Sequence, residues 1–198
     1  THVNGVMDNN TPFPENSVTH ATLLRDAGYQ TAYFGKWHMG EDNDAPRSGF
    51  DFWMSHRGQG NYFDNTFNVD GTLREFPGYY TATVTDAALA WIARQHTQPW
   101  FLILGHKAPH GGPIEPEPRF AHALDEFPVR APANAGSYAV ADGKPEWLQQ
   151  SYPTWHGLGG PLYGQPDYES FVRAYLATLL SVDVSVGRIY AALLDAGQ

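Results

Sequence analysis

The sequence predicts an α/β fold, a largely parallel sheet flanked by helices, and three observations carry that expectation. Helical and extended patterns alternate along the chain. The run Trp100-Phe101-Leu102-Ile103-Leu104 is apolar on both faces, as a parallel strand covered on both sides requires. Two clusters that mix Lys with His each follow a predicted strand directly, Lys36-Trp37-His38 and His106-Lys107-Ala108-Pro109-His110.

The elements follow in order. From Ser17 to Ala27 the apolar positions Val18, Ala21, Leu24 and Ala27 share one helical face, with Asn16 or Ser17 as N-cap and Gly28 as stop. Tyr29 to Phe34 is rich in β-formers and reads as a strand. Val84, Ala87, Ala88, Trp91 and Ile92 make an i, i+3, i+4, i+7, i+8 stripe, which predicts a helix from Thr83 to about Gln95. After the strand at Trp100, most of the 15 prolines fall between Ala108 and Pro166, so irregular structure is expected there, and so long a loop is usually functional. Phe171, Tyr175, Leu179, Val182, Val186, Ile189 and Leu193 then predict one long amphipathic helix from about Asp167 to Ala196. No repeat or linker interrupts the pattern, and the chain reads as one α/β unit.

Composition narrows the function classes. The chain has 198 residues, 42% hydrophobic and 17% charged, and a formal charge of −9 with no run of Lys or Arg. That balance argues against nucleic acid and acidic membrane surfaces as partners, and an anionic substrate would need a local basic pocket. No apolar stretch approaches the ~20 residues of a membrane span. With no cysteine, thiol chemistry is excluded within these residues. The absence of an initial Met and the stop at Gln198 just after a strong helix suggest a piece of a longer protein.

Open α/β sheets bind ligands outside the carboxyl ends of their strands. If the strands ending near Gly35 and Gly105 are parallel neighbours, both Lys/His clusters open onto one cleft. His106 and His110 are four apart, as in zinc helices, but Pro109 between them opposes a helix, so His106 reads as a structural hydrogen-bonder. Glu41-Asp42-Asn43-Asp44 lacks the Gly and distal Glu of a calcium loop and reads as a solvated turn. The stretch from Phe50 to Phe63 mixes aromatics with polar groups. It reads either as a sugar-facing loop in which Gln59 or Asn61 meets substrate, or as aromatics packed over the sheet, the latter favoured for Trp53 and Phe63. His156 borders the cleft or anchors its loop, and Asp183 and Arg188 read as surface or ion-pair residues of the long helix.

The run Gly28-Tyr29-Gln30-Thr31-Ala32-Tyr33-Phe34-Gly35-Lys36-Trp37-His38-Met39-Gly40 resembles the second signature of the formylglycine-dependent sulfatases, within the alkaline phosphatase superfamily. The resemblance continues in order through His2-Val3-Asn4-Gly5-Val6, Gly49-Phe50-Asp51, Arg57-Gly58-Gln59-Gly60, Lys107-Ala108-Pro109-His110, Trp155-His156-Gly157 and Val182-Asp183-Val184-Ser185-Val186-Gly187-Arg188. It implies an incomplete sulfatase or alkaline phosphatase-like core, with residues 1–198 an internal segment of the catalytic domain.

The resemblance implies hydrolysis of sulfate esters through a formylglycine hydrate, with Lys36 a cation on the sulfuryl oxygens. His38 would hydrogen-bond the hydrate, His110 would protonate or polarise the leaving oxygen, and Lys107 would support the sulfate pocket. The family's Cys-x-Pro-Ser-Arg or Ser-x-Pro-Ser-Arg motif does not occur here, and its Asp-rich calcium ligands lie outside this segment. Formylglycine and calcium are therefore expected of the complete protein only, this chain alone is expected to be inactive, and export to the periplasm or cell exterior is implied. The motifs at His2, Arg57 and Trp155 resemble the branch containing N-acetylglucosamine-6-sulfatases, so sulfated carbohydrate is the implied substrate. A phosphonate or phosphodiester hydrolase of the same superfamily, and a sugar-sulfate-binding pseudoenzyme without the nucleophile, are the other two readings.

Overall fold

The computed structural model describes residues 3–131, 133, 143, 145–147 and 161–197. The chain divides into two compact units, Thr1–Lys107 with Asp183–Gln198, and Ala108–Val182. The break falls where the proline-rich stretch begins.

The first unit holds a five-stranded sheet in the order β4-β3-β2-β1-β5. Strands β1 (Gln30–Gly35) and β5 (Trp100–Gly105) fall where the sequence predicts them and pair in parallel, in a register that sets Gly35 opposite Gly105. The α/β reading therefore holds, and the two clusters do follow adjacent parallel strands. Strand β5 is half-buried throughout instead of fully covered, because it is an edge strand among the described residues.

Three strands lie where the sequence reading placed none, and they make the sheet mixed. Strand β2 (Phe52–Ser55) pairs in parallel with β1, while β3 (Phe63–Val69) and β4 (Thr72–Tyr79) form an antiparallel hairpin joined to β2. The hairpin turns at Asp70-Gly71, both at positive φ (49° and 90°), the two-residue geometry that Asp-Gly favours. That dipeptide was the readable signal. It was obscured by the irregular register between Phe63 and Asn65 and by the exposure of most of β4.

Helix α1 (His20–Asp26) starts later than expected, and its cap is Thr19 in place of Asn16 or Ser17. Thr19 Oγ1 accepts from the Thr22 amide (3.2 Å) and Thr22 Oγ1 from the Thr19 amide (2.9 Å). This capping box satisfies two otherwise orphaned donors, whereas Ser17 N already serves a turn on Pro14 O and Val18 points to solvent. Helix α2 (Tyr80–Ile92) begins three residues before the predicted start, directly after β4.

The main core lies between α2 and one face of the sheet: Ala32, Phe34, Met54, Phe67, Tyr80, Val84, Ala88 and Trp91 are buried together, with Ile189 and Leu193 packed against them. On the other face Tyr33 stacks on Trp53 (4.8 Å between centroids), and Trp37 and Phe50 meet the Trp53 ring edge-on or tilted. The aromatics of the Phe50–Phe63 stretch thus pack over the sheet, with Trp53 fully buried.

Helix α3 (Tyr168–Asp195) matches the predicted long helix. By length and composition it is apolar enough to cross a bilayer, contrary to the expectation that no stretch would be, because polar residues interrupt its apolar run in the sequence. Within the first unit its Ser185 hydroxyl meets Thr85 Oγ1 at 2.6 Å and Arg188 pairs with Asp86 at 2.6 Å, so this end of the helix is held by protein partners. Within the second unit Phe171, Ala177 and Thr178 are buried, and Ser181 Oγ donates to Glu117 Oε2 at 2.9 Å. A 3-10 turn at Pro118–Phe120 is the only helix described between Ala108 and Arg130, and the expected irregular structure prevails there.

Candidate functional site

The carboxyl ends of β1 and β5 carry the site. Gly35 (φ 101°) lies so close to the neighbouring strand that a Cβ built on it would stand 2.0 Å from the Gly105 carbonyl oxygen. The Lys36 amide then donates to that same oxygen at 2.9 Å, and the Tyr33 hydroxyl donates to the Lys36 carbonyl. The chain leaves the sheet with both backbone groups of Lys36 engaged, which leaves the side chain to serve the cleft.

Four of the five expected site residues come together in the first unit. The Lys36 ammonium donates to Gln59 Oε1, and the Gln59 amide nitrogen lies 3.2 Å from His38 Nδ1 and 3.3 Å from Nε2. Lys107, only 2% exposed, places its ammonium 4.9 Å from the centroid of the Tyr62 ring and 3.5 Å from the Gln59 carbonyl oxygen. Gln59, expected to meet substrate, thus has its amide engaged by Lys36 and His38. His110 belongs to the second unit, where it is exposed and its Nδ1–H donates to Gly111 O at 2.9 Å. His156 lies outside the described residues.

Glu41 was missed. The solvated-turn reading of Glu41-Asp42-Asn43-Asp44 is corrected at both ends. Glu41 Oε1 lies 2.8 Å from His38 Nε2, and Asp44 is buried, its carbonyl accepting from Trp53 Nε1 at 2.8 Å and its carboxylate facing Arg57 at 3.5 Å. The turn folds inward because the backbone at His38 is left-handed (φ 46°) and the Gly58 amide donates to the Glu41 carbonyl at 2.9 Å.

Burial lowers the pKa of Lys36 from the ordinary lysine value, and the charge of Glu41 opposes that shift. Behind the cluster His56 is buried, with Nδ1 3.0 Å from Arg57 O and Nε2 2.8 Å from the Tyr80 hydroxyl. A carbonyl can only accept, so Nδ1 carries the proton and Nε2 accepts from Tyr80. Desolvation depresses the His56 pKa, and the charges of Lys36 and Lys107 push it the same way. His106 behaves as the structural hydrogen-bonder expected: its Nε2 meets Ser185 Oγ at 3.3 Å, and burial pushes its pKa down to about 4.

An imidazole whose folded pKa lies below the unfolded value of ~6.5 takes up protons preferentially when the chain unfolds. Its contribution is complete above about pH 6.5 and is lost as pH falls towards the folded value. For His106 the loss amounts to about 2 kcal/mol near pH 5. Denaturant unfolding of the complete protein is therefore expected to show a smaller drop in stability between about pH 7.5 and 5 for His106→Gln than for the wild type, by about that amount. Equal drops would show that His106 is not held neutral by burial.

Among the described residues no group of three or more His, Asp or Glu stands close enough to hold a metal ion. The described residues therefore do not fit a calcium site. What the arrangement offers is a half-buried ammonium, a second buried ammonium behind it and an oriented imidazole at one end of a sheet, a setting suited to an oxyanion.

Comparison with known proteins bears on which oxyanion. The family model described as Sulfatase matches residues 1–198. The N-acetylglucosamine-6-O-sulfatase of Bacteroides thetaiotaomicron is 28% identical over all of this chain and 45% of its own length. A Caenorhabditis elegans protein named as an extracellular sulfatase Sulf-1 homologue is 29% identical over 88% of this chain and 25% of its own. A structure solved with its substrate D-glucosamine-2-N,6-O-disulfate superposes with a TM-score of 0.75 at 26% identity, over 99% of this chain and 50% of that one. The chain thus spans half or less of the length of these relatives.

Proposed function

Since the chain belongs to the sulfatase family, we propose that the complete protein hydrolyses sulfate esters of carbohydrates and that this chain is an internal segment of its catalytic domain. The observation that carries the reading is the Lys36–Gln59–His38 cluster at the carboxyl ends of two parallel strands, inside the motif order of that family.

The chemistry assigned to these residues is electrostatic. Hydrolysis of a sulfate ester spreads negative charge over the non-bridging oxygens, and Lys36 stabilises that charge from a half-buried position where water screens it poorly. Gln59 fixes the ammonium relative to His38. Lys107 adds positive potential through the wall of the site. His38 holds a hydroxyl of the nucleophile, which lies outside this chain, and His110 donates a proton to the departing alcohol oxygen. A formylglycine supplies the nucleophile of this chemistry when present, and calcium belongs to the same proposal for residues outside the segment. The names of the relatives support a sulfated glucosamine as the sugar class and export from the cytoplasm. The segment alone is inactive on this reading.

The test is a set of parallel assays of the complete protein on glucosamine-6-sulfate, an aryl sulfate and an aryl phosphodiester. Preference for the two sulfates is expected. Preference for the phosphodiester would move the protein to the phosphonate and phosphodiester hydrolases, and binding without turnover to the pseudoenzymes. Replacing His110 with Ala is expected to slow the sugar sulfate, a poor leaving group, about tenfold or more beyond its effect on the activated aryl ester. Equal losses on both would remove His110 as the leaving-group acid.

A further inference from the structure

We propose that Glu41 is the positioning residue of His38, a carboxylate that selects the tautomer and orientation in which the imidazole meets its hydroxyl partner. The inference rests on the role assigned to His38 above and extends it to a residue outside the family motifs.

Three observations converge. Glu41 Oε1 lies 2.8 Å from His38 Nε2, and an ionised carboxylate can only accept, so Nε2 carries the proton. The Gln59 amide gives its oxygen to the Lys36 ammonium, and its nitrogen lies 3.2 Å from His38 Nδ1 and 3.3 Å from Nε2, so it does not choose between the two. With Nε2 holding its proton on Glu41, Nδ1 is the nitrogen left to accept. Glu41 alone specifies the tautomer.

The second observation is burial: the His38 side chain is only 9% exposed, so it has little water to turn towards. The third is the slot that holds Glu41. A Cβ added at Gly58 would stand 2.9 Å from Glu41 Oε2, while the Gly58 amide already binds the Glu41 carbonyl at 2.9 Å. Any side chain at Gly58 would crowd the carboxylate that faces His38.

The consequence is a nucleophile–base–carboxylate order. A carboxylate holds one imidazole nitrogen protonated, and the other is left to accept from a hydroxyl. The longer Gln59 contact is the one exchanged when that hydroxyl arrives, while the Glu41 contact stays. Glu41 touches neither substrate nor nucleophile and acts through the ring.

Two readouts on the complete protein test this. In ¹⁵N spectra of the histidine rings, wild-type His38 is expected as the Nε2–H tautomer, and Glu41→Ala as a mixture. In steady-state kinetics on an aryl sulfate, Glu41→Gln is expected to lower kcat roughly 10- to 100-fold with KM within about twofold. In a His38→Ala background Glu41→Ala is expected to add no further loss, because a positioning residue has nothing left to position. An unchanged tautomer in Glu41→Ala, or a loss of the same size with and without His38, would overturn the inference. If the wild type hydrolyses no sulfate ester, the proposed function fails, while the tautomer comparison still decides Glu41.

Discussion

Replacing Lys36 with Met in the complete protein is expected to lower kcat on sulfate esters by about 10³-fold while leaving the melting transition nearly unchanged. The side chain is half-buried at the end of β1, and its charge faces Gln59 Oε1, the cleft and the carboxylate of Glu41. Met keeps most of the apolar stem but removes the ammonium, so the loss isolates the charge. Lys36→Arg is expected to recover only a small part. Gln59 Oε1 meets the compact ammonium through one contact, and a planar fork needs a wider partner. Steady-state kinetics beside a thermal melt make the comparison. A loss below about tenfold, with the fold intact, would place the stabilising charge elsewhere.

The second large effect concerns stability. Gly35→Ala is expected to destabilise the protein by about 2–5 kcal/mol, the sum of a left-handed backbone forced on a non-glycine residue and of overpacking. The overpacking is specific, since the added methyl would meet the Gly105 carbonyl oxygen at 2.0 Å and its carbon at 2.9 Å, both backbone atoms of a paired strand. Gly28 is the matched control. Its φ of 93° is similar, but a Cβ there meets nothing within 4 Å, so Gly28→Ala should show the backbone term alone, about 1–2 kcal/mol. Denaturant melts of the two variants decide it. Similar losses would mean that β1 and β5 can separate at Gly35 without penalty.

What was legible in the sequence had either strong periodicity or strong punctuation. Strands β1 and β5 and the long helix α3 lie within a residue or so of their expected bounds, because apolar runs and a sustained stripe leave little choice. Strand β2 was not legible. Four residues are too few for a period to register, and its aromatics suit a loop as well as a sheet. The hairpin hid because most of β4 is exposed and Pro77 interrupts it.

At the site, Lys36 and His38 were readable from their place after a strand, and the family motifs supplied Gln59 and Lys107. Glu41 was not readable. Its contact depends on a left-handed backbone at His38, a conformation that non-glycine residues adopt rarely and that no neighbouring residue type announces. The buried placement of Lys107 over Tyr62 was equally hidden, since a cation next to a motif histidine suggests exposure.

The Gly35–Gly105 register acts as a ruler for charge. Lys36 and Lys107 stand one and two residues beyond that pair, so their separation is inherited from main-chain pairing, and a two-residue slip of β5 would carry Lys107 about 6.6 Å along the sheet. Main-chain pairing sets where the two cations start, and the side chains around them set where each ammonium rests. Recognition of a different oxyanion is then to be sought in the loops that bring the remaining groups to a fixed electrostatic scale.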